Sequence, residues 1–189
     1  MIDYKTFINK QITEWLPELN NLDYTSSQKL DVINIVDCDF VNYKEPTFII
    51  LSGTSCTFKC DNENNCKLCQ NSHLAREPII HTTIEQCIKM YNNQDIAHSI
   101  TFQGLEPLDN LKQMLWFIYY FRKISSAPII IWTGYTKEEC FDLILLIQKT
   151  LNWKNIIMKY GRFIPNQKPH QDPILGVSLA SDNQYAEIL

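Results

Sequence analysis

Apolar and polar positions along the chain first fall at helical spacing. They then settle into short apolar runs alternating with longer amphipathic stretches. "YKTFINKQITEWLPEL", residues 4–19, places Phe7, Ile8, Ile12, Trp15, Leu16 and Leu19 on one helical face, and Pro17 predicts an end or bend there. From about residue 37 the alternation begins. "TFIILSG" (47–53), "SITFQG" (99–104), "PIIIWTG" (128–134) and "NIIMKYG" (155–161) are short, rich in β-formers and end at Gly, which predicts buried strands. Between them lie three predicted helices. They are 82–94 with Thr82 or Thr83 at the N-cap, 109–124 capped by Asp109, and 136–150 with Thr136 at the cap and Glu139 three residues on. Further strands fit around 32–36 and 174–179.

Strands and helices alternating at this spacing predict an α/β fold with a parallel sheet. The strands are too few for a closed eight-stranded barrel, so an open or half-wound sheet is expected. Residues 1–36 read as a partly helical N-terminal extension and 37–189 as the core domain. The loops "SGTSC", "QGLEP" and "WTGYT" all follow strand carboxyl ends, the edge where parallel α/β sheets bind ligands.

Composition narrows the function classes. The 189 residues carry a formal net charge of −4 with the two signs interspersed, so no nucleic-acid partner is expected. "MIDYKTFINKQ" has no apolar core of a signal peptide, and the apolar run "MLWFIYYF" (114–121) is far below the roughly 20 residues of a membrane span. A soluble, cytoplasmic chain with no membrane partner is the expectation. Clustered cysteines in that compartment favour metal or redox chemistry over disulfides.

Four of the seven cysteines crowd into "SCTFKCDNENNCKLCQN", with the spacing Cys56-x3-Cys60-x5-Cys66-x2-Cys69. Such spacing suits a four-cysteine zinc site or an iron–sulfur cluster. The loop springs from a strand end that faces other Gly-containing loops, which favours a site facing a ligand. A four-iron cluster held by only three cysteines keeps one iron open to chelation by a small molecule.

These residues resemble the radical S-adenosylmethionine proteins, whose motif is C-x3-C-x-Φ-C with an apolar or aromatic Φ. Cys56 and Cys60 fit its first half; Cys69, preceded by Leu68 as Φ, fits its second. "ITFQGLEPL" is similar to that superfamily's Gly-Gly-Glu-Pro strand end. The ordered set "DFVN", "CQN", "IWTGYTKEE", "YGRFIP" and "SDNQ", spread over about 39–184, resembles one family in particular. That family is the activating protein of the anaerobic ribonucleoside-triphosphate reductase.

The resemblance implies an open partial (β/α) barrel of mostly parallel strands, of radical S-adenosylmethionine type. It implies a [4Fe-4S] cluster and S-adenosyl-L-methionine as cofactors, and an oxidoreductase that activates a glycyl-radical enzyme. Reductive cleavage of S-adenosylmethionine would yield a radical that takes a hydrogen from a glycine Cα of the partner. The partners implied are the large subunit of an anaerobic ribonucleotide reductase and an electron donor such as a flavodoxin or ferredoxin. The implied cluster ligands are Cys56, Cys60 and Cys69, with Cys66 as the alternative to Cys60, because "DNENNC" is inserted between the two half-motifs. The implied cofactor-binding residues are Leu68, Gly104, Leu105, Glu106, Pro107, Thr133 and Gly134, with Glu106 and the Gly104–Leu105 backbone at the cofactor's amino group. Leu105 stands where the family has a second Gly, and it fits only with a negative φ. "YKEPT" replaces the family's Gly-Pro-Gly-x-Arg, and "LGVSLA" lies where an Arg-Gly is usual.

Two other function classes remain open at this stage. One is a non-catalytic zinc module; the other is a radical enzyme acting on a small molecule. Cys87 and Cys140 fall in helical patterns and read as buried small hydrophobes. His73 near the cluster reads as a solvated loop residue, and "WFIYYF" as a core helix face.

Overall fold

The computed structural model describes residues 3–20, 25–65, 67 and 69–189. In chain order come α1 (Tyr4–Trp15), β1 (Lys29–Val32), β2 (Asn34–Asp39), β3 (Thr47–Gly53), α2 (Lys59–Asn64), β4 (Ile80–Thr83), α3 (Ile84–Asn92), β5 (Ser99–Gly104), α4 (Leu111–Arg122), β6 (Ile129–Trp132), α5 (Phe141–Leu145), β7 (Ile156–Tyr160), β8 (His170–Gln171), β9 (Ser178–Leu179) and β10 (Tyr185–Ile188).

The main sheet has the order β10-β7-β6-β5-β3-β2. Its four central strands run parallel, and β2 and β10 close the edges antiparallel. β1 and β4 form a separate antiparallel ribbon. The protein is therefore mixed α/β with a largely parallel sheet. The apolar runs predicted as strands are its four central strands. β10 follows no strong apolar run, and its place is set by pairing with the open edge of β7.

The central strands are buried at nearly every position, and successive side chains enter two different buried layers as the pleat requires. Phe48, Ile50, Ile100, Phe102, Ile129, Ile131, Ile156 and Met158 join residues of α1, α3, α4 and α5 in one core. Ile130 and Ile157 face the other way and meet Tyr43, Leu175 and Leu179. Helices thus cover one face, and loop segments cover the other. Ile8, Ile12 and Trp15 of α1 are part of the main core, and β2 spans the 36/37 boundary.

Local signals explain the helix starts. The Thr83 side chain accepts from the Gln86 N–H, and Gln86 returns a bond to the Thr83 N–H, a complete capping box. Asp109 is a correction. It does not cap a helix but lies in a 3₁₀ turn, Pro107–Asn110, whose N-cap is Glu106. The Asp109 carboxylate instead accepts from the Tyr135 hydroxyl at 2.7 Å. The 136–150 helix is also shorter than expected. Thr136 and Glu139 do exchange capping bonds, but the α-helix spans only Phe141–Leu145 before a π-helical turn, Leu146–Thr150. Glu139 is held by other partners from distant loops, as described below.

Gly53 and Gly104 let two strand ends meet. A Cβ on Gly53 would lie 2.5 Å from the Glu106 nitrogen and 2.8 Å from the Leu105 nitrogen. Those are backbone atoms and cannot swing aside. Gly53→Ala is therefore expected to destabilise the fold by about 1–3 kcal/mol through overpacking. A lower urea midpoint with unchanged slope would show it; an unchanged midpoint would mean that the 104–106 segment yields freely.

Candidate metal centre

A cavity of about 460 Å³ opens at the carboxyl ends of β3, β5, β6 and β7, on the sheet face away from the helices. Leu51, Gln103, Trp132 and Lys159 reach it from those four strands. Cys56, Cys60 and Cys69 line it, as do Gly104, Leu105, Glu106, Thr133 and Gly134. The segment Val177–Ala180 forms part of its wall. Pro107 is not in the lining; it starts the turn that follows Glu106, at a position where its missing N–H needs no partner. Cys66 and Leu68 lie outside the described residues.

The three cysteines are free and half-buried. Burial pushes the Cys56 thiol up to about 12, against one backbone N–H bond from Phe58 to its sulfur at 3.2 Å. Burial also raises Cys60, opposed by the Phe163 N–H and the Arg162 charge, and raises Cys69, opposed by the Asn71 N–H. Thiols withdrawn from water in this way stay neutral until a metal takes the proton's place. Soft thiolates around one cavity are the donor set that iron–sulfur clusters use. Among the described residues no three His, Cys, Asp or Glu side chains are grouped to hold a metal ion. Cluster thiolates bind separate irons, so they need to border a shared volume and not a single point.

The loop carrying the cysteines is held by several bonds. Phe58 adopts φ 50°, an uncommon conformation for a bulky residue, and its carbonyl accepts from the N–H groups of both Asp61 and Asn62 at 3.0 Å. The Asp61 carboxylate accepts from the Cys69 N–H at 2.9 Å. The Asn71 side chain donates to the Gly104 carbonyl at 3.0 Å, joining the cysteine loop to the end of β5. Charges complete the clamp. Arg162, after β7, places Nη2 2.8 Å from both Glu139 oxygens and Nε 3.0 Å from Glu63. Lys59 pairs with the same two carboxylates. Burial alone would raise Glu139, but the Arg162 and Lys59 hydrogen bonds hold it below the usual carboxylate range. From α1, Tyr4 donates to Thr57 Oγ1 at 3.0 Å, and the Lys59 ammonium sits 3.8 Å over its ring.

Glu106 is the most constrained acid in the cavity, at 6% exposed. One carboxylate oxygen accepts from the Thr133 hydroxyl at 2.7 Å and the Leu108 N–H at 3.1 Å; the other accepts from the Gly134 N–H at 2.8 Å. Burial raises its pKa to about 7, against the pull of those donors. Thr133 and Gly134 thus orient Glu106. The positive φ at this strand end falls on Gly104, at 126°, and not on Leu105. Sequence reasoning missed Lys159 and Arg162 as site residues. The available signal was a Lys within the apolar strand "NIIMKYG".

The family described as 4Fe-4S single cluster domain matches residues 47–184, from the first residue of β3 to Gln184. The chain belongs to this family, which is found in radical S-adenosylmethionine-related proteins. No curated protein matches the chain, and no solved structure does. Among the described residues no helix is long and apolar enough to cross a membrane.

Proposed function

We propose that the chain is a radical S-adenosylmethionine activase that generates a glycyl radical on an anaerobic ribonucleoside-triphosphate reductase. The observation that carries this reading is the convergence of Cys56, Cys60, Cys69 and Glu106 on one cavity at parallel strand ends, in a chain of the 4Fe-4S single cluster family. The sheet is then read as an open partial (β/α) barrel of the radical type, with the helices as its outer layer.

Cys56, Cys60 and Cys69 would hold the [4Fe-4S] cluster. Such a cluster, reduced by a flavodoxin or ferredoxin, would supply one electron for cleaving S-adenosylmethionine. The protein's own groups bind and orient. Glu106 presents a carboxylate to the cofactor's ammonium, held in place by Thr133, Gly134 and Leu108. The Asn71 side chain donates to the Gly104 carbonyl and fixes the strand end beside Glu106. A protein substrate suits the cavity mouth. There Asp39 accepts from the N–H groups of Val41 and Asn42 and holds a turn on which Phe40 and Val41 are 68% and 74% exposed.

The decisive experiment is electron paramagnetic resonance on anaerobically reconstituted, dithionite-reduced protein. A half-integer-spin cluster signal that shifts on adding S-adenosylmethionine is expected. A colourless, silent protein that retains zinc and ignores S-adenosylmethionine would overturn the reading. Mixing with the reductase then tests the substrate: a glycyl radical doublet should grow on the reductase and not with a small-molecule acceptor.

A further inference from the structure

Among the described residues, five side-chain amides line the cavity: Asn42, Gln70, Asn71, Gln103 and Gln184. Three of them are spent on the protein itself. Asn42 donates to Asp39 at 3.0 Å, and Asn71 donates to the Gly104 carbonyl at 3.0 Å. Gln184 donates to the Gly161 carbonyl at 3.2 Å and accepts from the Ala180 N–H at 3.0 Å. Gln70 lies exposed on the cysteine loop. Gln103 differs. It is half-buried at the end of β5, and its amide makes no hydrogen bond among the described residues. A half-buried amide holds one acceptor oxygen and two donor hydrogens, and leaving them unpaired is unfavourable. A ligand that brings both a donor and an acceptor answers that need.

The pleat and the sheet order decide where Gln103 points. Phe102 enters the core beneath the helices, so the next residue faces the cavity. Gln103 pairs in register with Leu51 of β3, which lines the same cavity. Beyond β3 lies the edge strand β2. The turn after it brings Val41 and Asn42 to the cavity, with Phe40 and Val41 exposed. A chain segment that enters over this turn crosses β3 and meets Gln103. In extended backbone, the N–H and C=O of one residue point to the same side, so a single primary amide can pair with both. Glycine has no side chain to recognise, and its lack of a Cβ permits close approach. A site that selects a glycine must therefore read its backbone. The amino-acid end of the cofactor is charged, and its ammonium is assigned to Glu106 above; a neutral amide suits a neutral backbone instead.

We propose that Gln103 reads the target glycine of the protein substrate, its Nε2 donating to the glycine C=O and its Oε1 accepting from the glycine N–H. This rests on the activase reading above. It gives that reading a specificity-determining residue, one that holds the glycine Cα in a fixed place in the cavity.

The test compares reconstituted wild type with Gln103→Leu, under exclusion of air. Initial rates of glycyl-radical formation are measured by electron paramagnetic resonance against the concentration of the reductase large subunit. S-adenosylmethionine binding is measured in parallel by equilibrium dialysis. Gln103→Leu is expected to raise KM for the reductase roughly 10-fold, the effect of losing two neutral hydrogen bonds. Its S-adenosylmethionine affinity should stay that of wild type. Gln103→Glu has the shape of Gln but lacks the donor, and it should raise KM as well; it serves as the test if the Leu protein does not fold. Unchanged KM in a folded variant would overturn the assignment and leave the activase reading standing. Weaker S-adenosylmethionine binding with unchanged KM would place Gln103 at the cofactor and overturn the assignment too. A wild type that carries a full cluster but forms no glycyl radical on the reductase would overturn the activase reading, and the Gln103 assignment with it.

Discussion

Protein in which Cys56, Cys60 or Cys69 is replaced singly by Ala is expected to lose nearly all reconstituted iron and sulfide, whereas Cys66→Ala keeps them. The spacing alone left Cys60 and Cys66 in competition for one ligand position. The structure brings Cys60 to the cavity with Cys56 and Cys69, close enough that a Cβ on Gly134 would lie 3.9 Å from its sulfur. Its loop is fixed from three sides: by Asp61 at the Cys69 N–H, by Asn71 at Gly104, and by Lys59 at Glu139. Preorganisation of these three thiols around one cavity is the ground for expecting them to be the ligands. Iron and sulfide analysis with the visible absorption band reads the outcome. Loss of iron in Cys66→Ala with retention in Cys60→Ala would reverse the assignment and make the "DNENN" insertion part of the ligand loop.

Glu106→Gln carries the second large effect, and it acts in two directions. The variant has no charge for the cofactor ammonium, so S-adenosylmethionine binding should weaken roughly 10- to 100-fold. Its stability relative to wild type should also depend on pH. Folding raises the Glu106 pKa from 4.5 to about 7 through burial. The neutral acid is thus favoured by folding; that stabilisation is complete below about 4.5 and disappears as pH rises through about 7. At pH 8 the buried charge costs on the order of 3 kcal/mol relative to the neutral acid. The amide of the variant avoids that cost but turns an N–H toward a backbone N–H, from Gly134 or Leu108, which costs about 1–3 kcal/mol. The variant should therefore be less stable than wild type at pH 5 and equal or more stable at pH 8. Urea unfolding of both proteins at the two pH values measures the crossover. A difference independent of pH would show that Glu106 does not titrate in this range.

This trade-off is a general property of binding acids. Three donors oppose the burial that raises Glu106 without cancelling it, and the proposed cationic ligand would favour the ionised form. Lys159 shows the same opposition with the other sign: burial lowers its pKa to about 8, and the charges of Glu106 and Cys60 pull it back up.

Much of this protein was legible from the order of its residues. The central strands announce themselves as apolar runs ending at Gly, because a buried parallel strand must be apolar on both faces. The start of α3 was legible because a capping box needs only residues three apart. The cysteine spacing and the Glu after β5 pointed to the residues that line one cavity, since side chains on one loop are neighbours in sequence too. Other features required the folded chain. Asp109 sits where a cap is expected, yet the turn begun by Pro107 aims it at Tyr135, which is distant in sequence. β10 carries a weak pattern and is defined by the free edge of β7. Glu139 fits a local capping box, but its charge is balanced by Lys59 of α2 and by Arg162 after β7. Lys159 looks like an ordinary lysine until sheet order and pleat bury it on the cavity face, with no ion pair among the described residues. Local patterns report bonds made within a few residues. Which buried charge lacks a partner depends on how strands far apart in sequence are ordered across the sheet, and only the tertiary structure decides that.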